Sequence, residues 1–254
     1  MRRTTIFTVP LFLLLTACSM SEAQLKRERT ASAHYKLGIS YLYEKPPDTQ
    51  KAFVEFQNAV KVNSKNQNAY YGLGHIHFTN RDYPEAISFF KKALSIDFTF
   101  SEAHNYLGTV YKTQGKFDKA IVEYKKALEN SQYATPENPH FNLGLVYMEQ
   151  QKYDQAAGEF QAVLRIDPEH LRSHYEIGRT YDQMGRTKEA IQSYQKVIHL
   201  APDDLNAHYY LALVYQKDGA KELARDEFKR IISLSPQSPQ AEEVKKLIEA
   251  EVFK

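Results

Sequence analysis

The sequence predicts an all-α protein, a solenoid of six helix–turn–helix repeats followed by a C-terminal capping helix. Two observations carry this expectation. The first is a recurring spacing. Gly108, Gly144 and Gly178 each follow a Leu or Ile, with Tyr111, Tyr147 and Tyr181 three residues on, Ala120, Ala156 and Ala190 twelve on, and Tyr124, Phe160 and Tyr194 sixteen on. The pattern runs back to Gly74 with Ala86, Phe90 and Ala93, and to Gly38 with Tyr41, Ala52, Phe56 and Ala59; it runs forward to Ala212 with Tyr215, Ala224, Phe228 and Pro236. The second is the recurrence of Pro168, Pro202 and Pro236 at an interval of 34 residues. A fixed period of that length marks stacked helical hairpins.

The physics fits the spacing. Each unit is a pair of amphipathic helices, and neither can bury its apolar face alone. Stacking the units makes one continuous core. The recurrent Gly and Ala positions are small because the paired helices approach closely there. The prolines stop each second helix and turn the chain toward the next unit.

Taken in order, Arg2 and Arg3 precede a short apolar run, Ile6 to Leu15, which ends in Leu15-Thr16-Ala17-Cys18. The run is too short to span a bilayer and reads as a secretory signal. Its end resembles the bacterial lipobox, which implies that residues 1–17 are removed and that Cys18, the single cysteine of the chain, carries lipid. By the same resemblance, Ser19 implies sorting to the periplasmic face of the outer membrane in a Gram-negative cell. Acyl chains anchor a protein through buried methylenes, with no transmembrane helix. Residues 18–30 read as a polar tether, helical at most near Gln24 to Arg29.

The six repeats fill 31–238. First helices are expected at 31–44, 67–80, 101–114, 137–150, 171–184 and 205–218, and second helices at 48–63, 83–96, 117–130, 153–166, 187–200 and 221–234. The turn Glu44 to Asp48 is two residues longer than the others, and a two-residue insertion lies at Ser131 to Glu137. From 239 to 254 a capping helix places Ala241, Val244, Leu247, Ile248 and Val252 on one face.

Composition narrows the function. Lys and Arg number 33 against 31 Asp and Glu, so no overall field draws in nucleic acid or anionic lipid. One cysteine excludes an intrachain disulfide and a cysteine-based zinc site. No nucleophile elbow, phosphate loop or His-Glu-Xaa-Xaa-His motif is present, so no catalytic site, cofactor or small-molecule substrate is expected.

The spacing resembles the tetratricopeptide motif, which implies a right-handed superhelix. It also implies that the fourth residue of each repeat packs between helices. That place holds His34, His104, His140, His174 and His208, with Tyr70 in the second repeat. A metal array fails on distance: neighbouring helices lie roughly 8–10 Å apart, whereas ligands sit about 2 Å from a metal. His75 and His77 diverge on a helix.

In tetratricopeptide modules, positions five, nine and twelve of the first helix line a concave groove. Here these are Tyr35, Ile39 and Leu42; Tyr71, His75 and Phe78; Asn105, Thr109 and Lys112; Phe141, Leu145 and Met148. The fifth and sixth repeats place Tyr175, Arg179 and Asp182, then Tyr209, Leu213 and Gln216 there. An apolar groove in the first, second and fourth repeats points to a protein partner held there, with Tyr71, Phe78 and Phe141 as anchors.

The lipobox, the six repeats and the join Tyr133, Pro136, Glu137 before Phe141-Asn142-Leu143-Gly144-Leu145-Val146 together resemble the type IV pilus pilotin family. The resemblance implies a non-enzymatic adaptor that binds the pilus secretin and promotes its outer-membrane localisation and multimerisation. The alternative is a periplasmic lipoprotein that scaffolds peptidoglycan enzymes or outer-membrane protein assembly.

Overall fold

The computed structural model describes residues 21–249, and thirteen helices lie among them. The expected signal 1–17, Cys18, Ser19 and Val252 lie outside the described residues. The chain divides into two compact units, Met1–Leu73 and Gly74–Lys254.

In the first unit, α1 (Glu22–Tyr43) pairs with α2 (Thr49–Val62), and α3 (Gln67–Thr79) begins. The helix expected to start at Ala31 starts instead at Glu22, so most of the expected tether is helix. A capping box explains it. Ser21 Oγ accepts from the Gln24 amide at 3.2 Å, and Gln24 Oε1 accepts from the Ser21 amide at 2.9 Å. These bonds satisfy amides that a helix start leaves open. This first turn is exposed, so capping rather than burial sets its boundary.

The flank of α1 that later repeats bury is open. Leu37 is 42% exposed, whereas Leu73, Leu107, Leu143, Ile177 and Leu211 at the same repeat position are 1–3% exposed. Ala33 and Ser40 flank it on that face and are exposed too. At the place of Ser40 the later repeats bury Ile76, Val110, Val146, Thr180 and Val214. A hydroxyl there suits a face that no preceding helix covers among the described residues.

The second unit continues with α4 (Tyr83–Ile96), α5 (Ser101–Thr113), α6 (Phe117–Glu129), α7 (Glu137–Glu149) and α8 (Tyr153–Ile166), then α9 (Leu171–Gln183), α10 (Thr187–Leu200), α11 (Leu205–Lys217), α12 (Lys221–Leu234) and α13 (Pro239–Glu249). From α5 onward each first helix packs on its own second helix, and each second helix on the next first helix. The insertion before α7 leaves this order intact, and Tyr133 within it is buried.

The small residues act where the periodicity placed them. A Cβ on Gly108 would stand 2.8 Å from the Tyr124 ring, and one on Gly74 would stand 2.7 Å from the Phe90 ring. Real Cβ atoms do not come so close, so the residue type sets the helix separation.

The capping helix stands where the first helix of a seventh unit would. Gln240 Nε2 donates to Asn206 Oδ1 at 2.8 Å and Tyr209 donates to Glu243 Oε1 at 2.7 Å, both pairs 34 residues apart. Ala241 and Val244 on its inner face are fully buried.

Candidate interaction groove

The expected groove residues sit on first helices, but their surroundings differ. In the first unit Tyr35, Ile39, Leu42 and Tyr71 are partly buried. The Tyr35 ring lies 5.7 Å from Phe56, tilted by 34°.

In the second unit, His75 and Phe78 both meet the Tyr106 ring edge-on, at 5.1 and 5.5 Å. Burial holds the His75 imidazole below its ordinary proton affinity. His77 turns away, with Nδ1 2.9 Å from Asp82 and its ring stacked 5.2 Å from Phe89. The divergence expected from the spacing is therefore present.

The third-repeat set is polar and interlocked. Asn105 is buried and accepts from Asn142 Nδ2 at 3.2 Å. Thr109 donates to the Asn105 carbonyl at 3.0 Å and accepts from the Tyr124 hydroxyl at 3.2 Å. Lys112 is partly buried. Burial and then the nearby Arg172 charge push its amine below the usual lysine range, against the opposing pull of Glu149.

Phe141 is not an exposed anchor. It is 7% exposed, with its ring 5.6 Å from both Phe160 and His170 and the Arg172 guanidinium 4.6 Å above it. Its fifth-position side chain lies against its own second helix, and the next repeat's arginine covers it. It belongs to the core.

Leu145 and Met148 line a cavity of about 440 Å³ with Glu176, Arg179, Asp182 and the rings of Tyr194 and Tyr210. The cavity joins the apolar fourth-repeat set to the polar residues of the fifth repeat and to Tyr210 of the sixth. Arg179 pairs with Glu176 at 2.9 Å, and Lys217 with Asp182 at 2.8 Å, so three of the charges that line the cavity have an ion-pair partner, and Glu149 lines it as well. The tyrosines form a wall: Tyr175 meets Tyr210 edge-on at 5.6 Å, and Tyr194 stacks on Tyr210 at 6.1 Å. Burial first, and neighbouring charges next, raise the Tyr194 hydroxyl well above the usual tyrosine range. It stays a neutral hydrogen-bonding group at any physiological pH. Apolar, aromatic and charged side chains are thus presented together along one cavity, the mixed lining typical of a recognition site.

Family models described as Tetratricopeptide repeat match residues 66–133, 141–204 and 175–239. The chain belongs to the tetratricopeptide repeat family. A comparison with curated proteins finds no matching sequence. Among solved structures, PilF of Pseudomonas aeruginosa is similar at 20% identity and a TM-score of 0.75, over 87% of this chain and 99% of that one. PilW, described as a widely conserved type IV pilus biogenesis factor, is similar at 21% identity and a TM-score of 0.73, over 84% and 97%. YrrB, described as a TPR protein with an unusual peptide-binding site, is similar at 21% identity and a TM-score of 0.65, over 76% and 98%. These likenesses establish a shared tetratricopeptide fold.

In four of the six tetratricopeptide repeats the fourth residue does more than pack. His34 Nδ1 meets Glu55 at 2.6 Å, His104 meets Glu123 at 2.6 Å, His140 meets Glu159 at 2.7 Å and His208 meets Glu227 at 2.5 Å. Each pair joins the two helices of one repeat. Sequence reasoning missed these pairs, although a glutamate nineteen residues after His104, His140 and His208 was a readable signal.

Proposed function

We propose that the chain is a lipid-anchored adaptor at the periplasmic face of the outer membrane, a pilotin. It binds a type IV pilus secretin subunit and promotes that subunit's outer-membrane localisation and multimerisation. The observation that carries this reading is the extent of the likeness to PilF and PilW. It takes up 99% and 97% of those chains together with 87% and 84% of this one. The whole array corresponds, and not a few interchangeable repeats.

The parts act as follows. Acylated Cys18 confines the repeats to the membrane surface, which raises their effective concentration for membrane-bound partners. The cavity around Leu145, Met148 and Arg179 receives a segment of the secretin subunit before the ring closes. Capture makes and breaks no covalent bond, so the repeats need shape and fixed dipoles rather than a nucleophile or a metal.

The test is co-purification from envelopes with the full-length, lipidated chain as bait. The reading expects the secretin subunit among the captured proteins. Capture of peptidoglycan enzymes or outer-membrane assembly factors without any secretin would replace it with the alternative adaptor role.

A further inference from the structure

We infer that the sixth repeat closes around a stored proton. In this account His208 is an imidazolium that fastens α11 to Glu227 of α12 and to the turn leading into the repeat, and its deprotonation loosens the C-terminal end of the array.

Both ring nitrogens face groups that only accept. Nδ1 lies 2.5 Å from Glu227 Oε2, and Nε2 lies 2.9 Å from the Pro202 carbonyl oxygen. A neutral imidazole has one N–H and one lone pair, so it would leave a lone pair against an acceptor; an imidazolium donates to both. His208 is 4% exposed, so water does not take the place of either partner. The other charge facing the ring is Arg230 of α12, which opposes protonation. The Glu227 hydrogen bond outweighs burial and Arg230, and the ring binds its proton more tightly than an ordinary histidine.

Two other repeats keep all or part of this arrangement at the same position. His104 repeats both contacts, with Glu123 at 2.6 Å and the Phe98 carbonyl at 3.0 Å. Glu123 is shared with Lys126 at 3.1 Å, and although burial alone would raise its proton affinity, these two partners hold it below the usual range. His174 keeps the carbonyl contact, to Pro168 at 2.9 Å. There Ser193 stands where the glutamate would be, so a single N–H suffices. The fifth repeat is thus a control built into the chain.

The consequence reaches the cap. α13 is tied to α11 through Tyr209–Glu243 and Asn206–Gln240, and packs on α12. Opening the α11–α12 hairpin removes its support. Because the folded state binds the His208 proton more tightly than the unfolded chain, the stabilisation is full below the ordinary value of 6.5. It is lost as pH rises through the higher folded-state value.

Two measurements on the full chain test this. Long-range nitrogen NMR reads the protonation of each ring. At about pH 7, His208 should carry two N–H protons. Amide exchange, corrected for its intrinsic pH dependence, should show α11–α13 losing about tenfold protection relative to α9–α10 between about pH 6 and pH 9. Glu227→Gln keeps an acceptor for Nδ1 but removes the charge, and should abolish that difference. A neutral His208 ring at pH 7, or equal pH slopes in the two regions, overturns the inference. The NMR result on the unaltered chain decides the matter even if the variant does not fold.

Discussion

Gly144 faces Phe160 so closely that a Cβ on the glycine would stand 2.5 Å from the ring's Cε1. Gly178 is in the same relation to Tyr194, but its Cβ would stand at 3.1 Å. The sixth repeat has Ala212 in this place, fully buried, so that hairpin already accommodates a methyl group. Gly144→Ala should therefore cost about 1–3 kcal/mol through overpacking, and Gly178→Ala about 1 kcal/mol or less. Urea titration followed by circular dichroism checks the ranking, and equal midpoints for the two variants would refute it.

Lys112 occupies a groove position at a cost to stability. Burial and Arg172 both disfavour its charge. Replacing Lys112 with Met keeps the length and removes the charge, so the urea midpoint should rise. The pH dependence has a definite sign. A lysine with lowered proton affinity in the folded state destabilises the fold at neutral pH and ceases to do so as pH rises through that lowered value. The gain from Lys112→Met should therefore shrink as pH approaches the ordinary lysine value of 10.5 from below and be gone above it.

The cavity makes the groove testable. Leu145→Ser with Arg179→Ala should weaken partner capture by about tenfold or more, the equivalent of about 1.4 kcal/mol. Phe141→Ala should instead lower stability by about 3–5 kcal/mol, because its ring is core. Surface plasmon resonance against the captured partner and thermal unfolding separate the two effects. Unchanged affinity in the double variant would move the binding surface elsewhere.

Cys18→Ser should lose lipid labelling and membrane fractionation while its helical circular dichroism spectrum is retained. Continued labelling of that variant would place the anchor at another residue.

Much of the fold was legible because its causes are local and repeated. The periodicity placed α4, α8, α10 and α12 at the residues where they are found. The start of α1 was missed because a capping box at Ser21 and Gln24 sets it, not an apolar pattern. The groove was less legible. Whether Phe141 faces solvent depends on Arg172 of the following repeat, which no property of Phe141 or its own helix reveals. Arg179 and Asp182 stood out in the sequence only as charges, because hydropathy registers charge but not the Glu176 and Lys217 partners that pair with them. The histidine–glutamate pairs were hidden for a related reason: a position expected to carry a packing residue also carries a hydrogen bond between helices.

The role proposed for this array is the assembly of a secretin. The most direct measurement is the amount of detergent-resistant secretin multimer in outer membranes of a strain lacking this chain, with total secretin subunit quantified in parallel. The account predicts normal subunit synthesis with the multimer lost, restored by the intact chain and not by the Cys18→Ser variant. Normal multimer in the deletion strain would contradict it.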